Sequence, residues 1–122
     1  MSTVIWHTTM SLDGFIAGPD DSMDWALEVE GPNAIADEVR DATGAILAGR
    51  RWYDLASERW DGTGGIYGGT WSGPVFVLTH RVDDAPDDPT ATFVSEPIPD
   101  AVARAREAAG GKRVGILGAD VA

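Results

Sequence analysis

The 122-residue chain contains no cysteine. That excludes a disulfide scaffold, a thiolate zinc cluster and thiol catalysis, and it predicts a reducing, cytoplasmic setting. Histidine is nearly absent too: His7 and His80 stand alone, with no ligand spacing between them, so no metal site is expected. Basic residues are few. Nine Lys and Arg against twenty Asp and Glu leave a net charge of −11, which repels a phosphate polymer or an anionic membrane surface. Neither nucleic acid nor membrane is therefore an expected partner, and an anionic ligand would have to be small and gripped by local positive groups. No apolar stretch reaches bilayer length, and the N-terminus, MSTVIWHTTM, lacks a basic flank followed by a long apolar segment. At this length one domain, residues 1–122, is expected.

What is present is a set of short apolar runs that end in glycine or threonine. Gly44–Tyr53, GAILAGRRWY, reads as a buried strand that passes at Gly49 into a helix starting at Arg50 or Arg51. Such a corner collects unpaired backbone N–H groups and the positive end of a helix dipole, and two arginines strengthen its attraction for an anion. Thr3–Thr9 reads as a first strand, with His7 bonded within the sheet or at its edge. Residues 11–19 read as loop, and a helix starts at Asn33 or at Gly31-Pro32, with Ala34, Ile35, Val39 and Ala42 as its apolar stripe and Gly44 as its stop. The second helix runs to about Glu58, with Trp52, Leu55 and Ala56 facing inward.

Trp60–Pro74 holds six glycines and three aromatics, too much conformational freedom for a packed element, so it reads as an exposed loop. It is either a flap presenting Tyr67 or Trp71 to a ligand or a plain connector. Val75–Thr79 is a second buried strand, followed by His80 and Arg81. Ala91–Val94 is a short strand, Pro99–Ala109 a helix with Ala101, Val102 and Ala105 inward, and Arg113–Leu117 a last strand leading into Gly118. Unbroken apolar strands alternating with helices predict an α/β fold with a mostly parallel sheet. Gly49-Arg50-Arg51, Thr79-His80-Arg81 and Gly118-Ala119-Asp120 would then share the carboxyl edge, where open sheets bind ligands. A dinucleotide carrying an extra ribose phosphate matches that collection. The chain has no GxGxxG, which disfavours ordinary Rossmann binding.

Several of these segments, in order, resemble the motifs of the dihydrofolate reductase-like superfamily. They are Ser11-Leu12-Asp13-Gly14-Phe15-Ile16-Ala17, the loop to Trp25, Leu47-Ala48-Gly49-Arg50-Arg51, Val75-Phe76-Val77-Leu78-Thr79-His80, and Gly115-Ile116-Leu117-Gly118-Ala119-Asp120-Val121-Ala122. The nearer branch is the C-terminal reductase domain of bacterial bifunctional riboflavin-biosynthesis deaminase/reductases. The resemblance implies a three-layer αβα fold and NADPH as hydride donor. By position it assigns Gly49, Arg50 and Arg51 to phosphate, Thr79, His80 and Arg81 to the adenosine 2′-phosphate side, and Leu117, Gly118, Ala119 and Asp120 to the pyrophosphate. Thr9, Ile16 and Ala17 would line the nicotinamide, and Trp25 would belong to a loop closing over it.

Where folate reductases carry a buried acid this chain has Asn33, which cannot ionise, with Asp37 one helical turn further on. Trp25, Asn33 and Asp37 are accordingly the substrate-side candidates, for a small heterocycle other than folate, of the 5-amino-6-(5-phosphoribosylamino)uracil type. The alternative is a non-catalytic NADP(H)-binding domain, and a plain acidic interaction module stands behind it. Relatives of this type often pair as dimers, so the resemblance implies a homodimer as an expected partner. Because the residues after Gly118 read as a helix cut off in its first turn, the sequence reads as truncated at its C-terminus, with strands of the family pattern missing and the first strand left at a bare edge.

Overall fold

Strands, helices and their connections are described by a computed structural model for residues 3–8, 10–16, 18–19, 31, 33–60 and 66–117. In chain order they are β1 (Val4–Trp6), α1 (Ala34–Ala42), β2 (Thr43–Gly49), α2 (Arg50–Trp60), β3 (Val75–Leu78), β4 (Thr92–Val94), α3 (Ile98–Ala109) and β5 (Arg113–Leu117). The sheet has the order β1-β5-β2-β3-β4, and every neighbouring pair is parallel. β2 lies at its centre, with Leu47 opposite Ile116 on one side and Phe76 on the other. β1, expected over Thr3–Thr9, is shorter than that and forms one edge of the described sheet.

The two faces are furnished differently. The crossovers that carry the chain from β1 to β2 and from β2 to β3 run in one direction, and the β4-to-β5 crossover runs back, so a uniform right-handed hand puts α2 and α3 on opposite faces. Ala101, Ala105 and Ala109 of α3 pack on Ala45, Leu47, Phe76, Val114 and Ile116. On the other face Tyr53 of α2 packs on Ile46, Ala48, Val75 and Val77. The result is the α/β three-layer arrangement of a dihydrofolate reductase-like fold.

Helix boundaries follow local chemistry. Asn33 caps α1, its side-chain oxygen accepting from the Ala36 amide at 3.0 Å. The other end is closed by Thr43 and not by Gly44: the Thr43 hydroxyl donates to the Val39 carbonyl at 2.7 Å and its amide returns to Arg40. Gly44 is already strand, and its lack of a side chain serves packing. A Cβ there would run into the Ala109 carbonyl and come within 2.7 Å of Lys112 Cβ. Three inward residues of the sequence reading, Ala34 and Ile35 of α1 and Leu55 of α2, are also corrected, since all three are exposed. Ile35 is 71% exposed, leaving Val39 as the buried residue of α1. In α2, Leu55 is exposed and Tyr53 takes the inward position beside Ala56, because the ring covers more apolar surface and its hydroxyl finds a partner.

The glycine-rich segment departs from the exposed loop expected of it. Residues 61–65 lie outside the described part, but Ile66 is buried in a 3-10 turn, Ile66–Gly69, and Tyr67 and Trp71 pack on the α2-side core. The Trp71 indole N–H donates to the Thr43 carbonyl at 3.0 Å, tying the segment to the start of β2.

Gly44→Ala should lower stability by about 1–3 kcal/mol, since α3 or β2 must shift to admit the methyl group. Denaturant unfolding would show it as a lower midpoint with an unchanged slope; a variant as stable as the parent would mean that the α3 C-terminus is not seated against β2.

Candidate functional site

In a parallel sheet all strands deliver their carboxyl ends to one rim, and here three of them lie side by side. Gly49 of β2 is opposite Leu78 of β3, and Ala48 is opposite Leu117 of β5. No loop separates β2 from α2: Gly49 is the last strand residue and Arg50 the first helical one. The first turn of α2 therefore brings the positive end of the helix dipole directly onto the rim, and that turn carries no acidic residue.

Arg50 is held by many partners. Its Nε donates to Asp54 Oδ1 at 2.8 Å, its Nη1 to the Arg81 carbonyl at 3.2 Å and to Thr79 Oγ1 at 3.4 Å, and its Nη2 to the Asp84 carbonyl at 3.2 Å. The guanidinium also lies 5.6 Å from the centre of the Phe93 ring. With a side chain only 12% exposed, Arg50 acts as a staple between the start of α2 and the β3–β4 connection. The bond with Asp54, working against the cost of burial, holds its proton more firmly than usual. Arg81 is the exposed partner: its side chain is 58% accessible and reaches Asp54 at 3.5 Å and Asp84 at 3.6 Å. Thr79 is buried, and its hydroxyl accepts from the Arg81 amide at 3.0 Å.

The structure thus gathers Gly49, Arg50, Thr79 and Arg81 into one cluster, with Arg51 and His80 exposed beside them in sequence and Leu117 at the neighbouring strand end. It does not gather the substrate-side candidates. Asn33 is occupied as the cap of α1, and Asp37 pairs with Arg40 at 3.2 Å on an exposed face. Ile16 is half-buried. Thr9, Ala17, Trp25, Gly118, Ala119 and Asp120 lie outside the described residues. Among the described residues no cluster of three or more metal-ligating side chains occurs, and no helix is long and apolar enough to cross a membrane.

Three features escaped the sequence reading. Asp54 and Asp84 are the counter-charges of the arginine cluster; the Arg50–Asp54 spacing of one helical turn was a readable signal. Tyr53 donates to Asp88 Oδ2 at 2.5 Å, a bond across 35 residues that no local pattern announces. His7 Nδ1 lies 3.2 Å from the Tyr67 hydroxyl. Burial, with help from Asp88 and against the Ser57 and Arg50 contributions, pushes the Tyr53 hydroxyl from 10.0 up to about 12. Burial likewise pushes the Asp88 carboxyl up, but hydrogen bonds from Thr90 and Tyr53 outweigh it and hold the group below its ordinary 3.8.

Comparison with known proteins adds two findings. The family model of the RibD C-terminal domain matches residues 2–117. The chain also resembles a crystal structure from Shewanella sp. PV-4 described as a riboflavin biosynthesis protein, with a TM-score of 0.73 and 23% identity over 99% of this chain and 67% of that one. No curated protein matches.

Because the folded state raises the Tyr53 hydroxyl, its stabilisation is complete below pH 10 and is lost as pH rises from 10 towards about 12. Stability measured across that window should fall more steeply in the parent than in Tyr53→Phe; equal slopes would contradict the assignment. Asp88 works at the other end, its contribution present above its ordinary value and lost as pH falls below it. Arg50→Leu should cost about 1–2 kcal/mol of stability, the worth of its hydrogen bonds to two backbone carbonyls and Asp54. A thermal midpoint unchanged by that substitution would remove the staple.

Proposed function

The chain belongs to the RibD C-terminal domain family, a family of reductase domains, and on that premise we propose that it is an NADPH-dependent reductase of a small heterocyclic substrate. The substrate type is that of riboflavin biosynthesis, a 5-amino-6-(5-phosphoribosylamino)uracil or a close relative. The observation that supports this reading is the shared rim. β5, β2 and β3 end side by side, α2 opens onto that edge without a connecting loop, and an exposed guanidinium stands next to it.

These residues fit a phosphorylated dinucleotide. The start of α2 offers the positive end of its dipole with no acid in its first turn, and Arg81 offers a charge within reach of solvent. Arg50, already bonded to two carbonyls and a carboxylate, orients the β3–β4 connection so that Arg81 is presented. When bound, the reduced nicotinamide supplies a hydride for a carbonyl or imine carbon. The chain's own part is to hold the phosphates, set the ring at the rim and keep water from the reacting face. Asn33, occupied as a helix cap and unable to ionise, is consistent with a substrate other than folate.

Titration with NADPH, followed by quenching of tryptophan fluorescence, should give saturable binding. NADPH oxidation with an aminopyrimidine ribosylamine phosphate should follow; binding without oxidation would point to the non-catalytic NADP(H)-binding alternative, and no binding would sink both. Arg81→Ala should weaken NADPH by about 1.5–3 kcal/mol while leaving NADH, which lacks the 2′-phosphate, unaffected. Equal loss for both dinucleotides would place Arg81 elsewhere than at that phosphate.

A further inference from the structure

The carboxyl end of β1 carries a titratable pair remote from the arginine cluster. His7 is the residue after β1; since Trp6 is opposite Ile116, His7 comes level with Leu117, the last residue of β5. It therefore stands on the same rim as the ends of β2 and β3, on the side where Leu117 and Tyr67 both pack against the α2-side core. Its Nδ1 is 3.2 Å from the Tyr67 hydroxyl, and the two rings lie nearly parallel, 6.1 Å apart with 26° between their planes. Tyr67 holds this position with φ at +49°, a left-handed conformation that a bulky side chain adopts only when its surroundings impose it. Burial keeps its hydroxyl un-ionised.

An un-ionised phenol can donate to a bare Nδ1 and can accept from a protonated one. His7 therefore keeps the same partner whether its ring is charged or neutral, and in the charged ring, with Nδ1–H donated to the phenol oxygen, Nε2 carries the proton that can be given away. Reduction of a carbonyl or imine needs such a donor. As hydride forms the new C–H bond, the π pair of the C=N or C=O moves onto the heteroatom, which must take up a proton.

We infer that His7 is the proton donor of this reaction and that Tyr67 is its positioning residue. The imidazolium of His7 gives its Nε2 proton to the substrate heteroatom, the ring becomes neutral with its remaining proton on Nδ1 donated to the Tyr67 oxygen, and solvent restores the Nε2 proton after product leaves. The inference rests on the reductase reading above and adds to it the group that completes the chemistry.

Three measurements on His7→Gln and Tyr67→Phe test it. Tryptophan quenching should give an NADPH affinity within about twofold of the parent for both, since neither residue is assigned to the dinucleotide. Single-turnover hydride transfer should fall about 10²-fold or more in His7→Gln and by a smaller factor in Tyr67→Phe, with KM little changed. Independently of any turnover, ring-nitrogen NMR of the cofactor-free protein should show neutral His7 as the Nδ1–H tautomer in the parent and as a mixture in Tyr67→Phe, with His80 as the internal reference. Parent-like hydride transfer in His7→Gln would overturn the donor role while leaving the reductase reading in place. A tautomer indifferent to Tyr67→Phe would overturn the pair. No NADPH oxidation by the parent would overturn the reductase reading and the donor role with it. Should His7→Gln fail to fold, Tyr67→Phe, which removes a single hydroxyl, carries the same comparison, and parent-like rates in it together with a parent-like tautomer would reject the proposal.

Discussion

The constraint on which this molecule depends is that β2 is buried on both faces and joined to helices at both ends without a loop. A strand in that position can supply no side chain to solvent, and Ile46 and Leu47 alone contribute roughly 1.5–3 kcal/mol each by burial. Its ends must therefore turn within a single residue. At the amino end Thr43 is both the cap of α1 and the first strand residue. At the carboxyl end Gly49 passes the chain to Arg50, so the α2 amides are placed on the sheet rim by geometry that the core itself enforces.

That placement would be of little use in a chain of net charge −11 unless positive charge were concentrated where the strands end. Exposed ion pairs contribute about 0–1 kcal/mol each, so the Arg81 pairs with Asp54 and Asp84 matter less for stability than for orientation. Arg50 is different because it is nearly enclosed and serves two backbone carbonyls as well as a carboxylate. The two arginines thus divide the work: one fixes the loop, the other faces solvent. A sequence with Arg50 and Arg81 written 31 residues apart says nothing of which takes which part; burial decides it.

The same distinction explains how much was readable beforehand. Val75–Leu78 and the apolar part of β2 declare themselves by unbroken β-branched and aliphatic runs, and Asn33 declares a helix start by cap chemistry, so the parallel α/β sheet follows from local signals. The inward faces of α1 and α2 were less clear, because Ile35 and Leu55 satisfy a helical stripe as well as Val39 and Tyr53 do, and only the position of the sheet chooses between them. Gly44 looked like a helix stop because the approach of Ala109 that requires it comes from 65 residues away. Tyr67 was visible as an aromatic in a glycine-rich segment, but its partner lies 60 residues earlier, and no periodicity links the two.

The asymmetry of the two faces then accounts for where the polar chemistry sits. The α3 face is lined with Ala101, Ala105 and Ala109, small residues that let helix and sheet approach closely and leave nothing to titrate. The α2 face carries Tyr53, Tyr67, Trp52, Trp71 and Phe93, side chains whose apolar bodies fill the core while some of their polar tips reach outward. Side chains alternate along β1, and Val4 packs on the alanine-lined face, so Ile5 and His7 belong to the aromatic one. The contact with Tyr67 agrees with that parity. A shift of the β1–β5 register by one residue would turn His7 towards the alanines, where no partner waits, and would expose Val4 to the face already filled by rings. Pairing of Val4 with Val114 is therefore as much a condition for the His7–Tyr67 contact as the hydrogen bond itself.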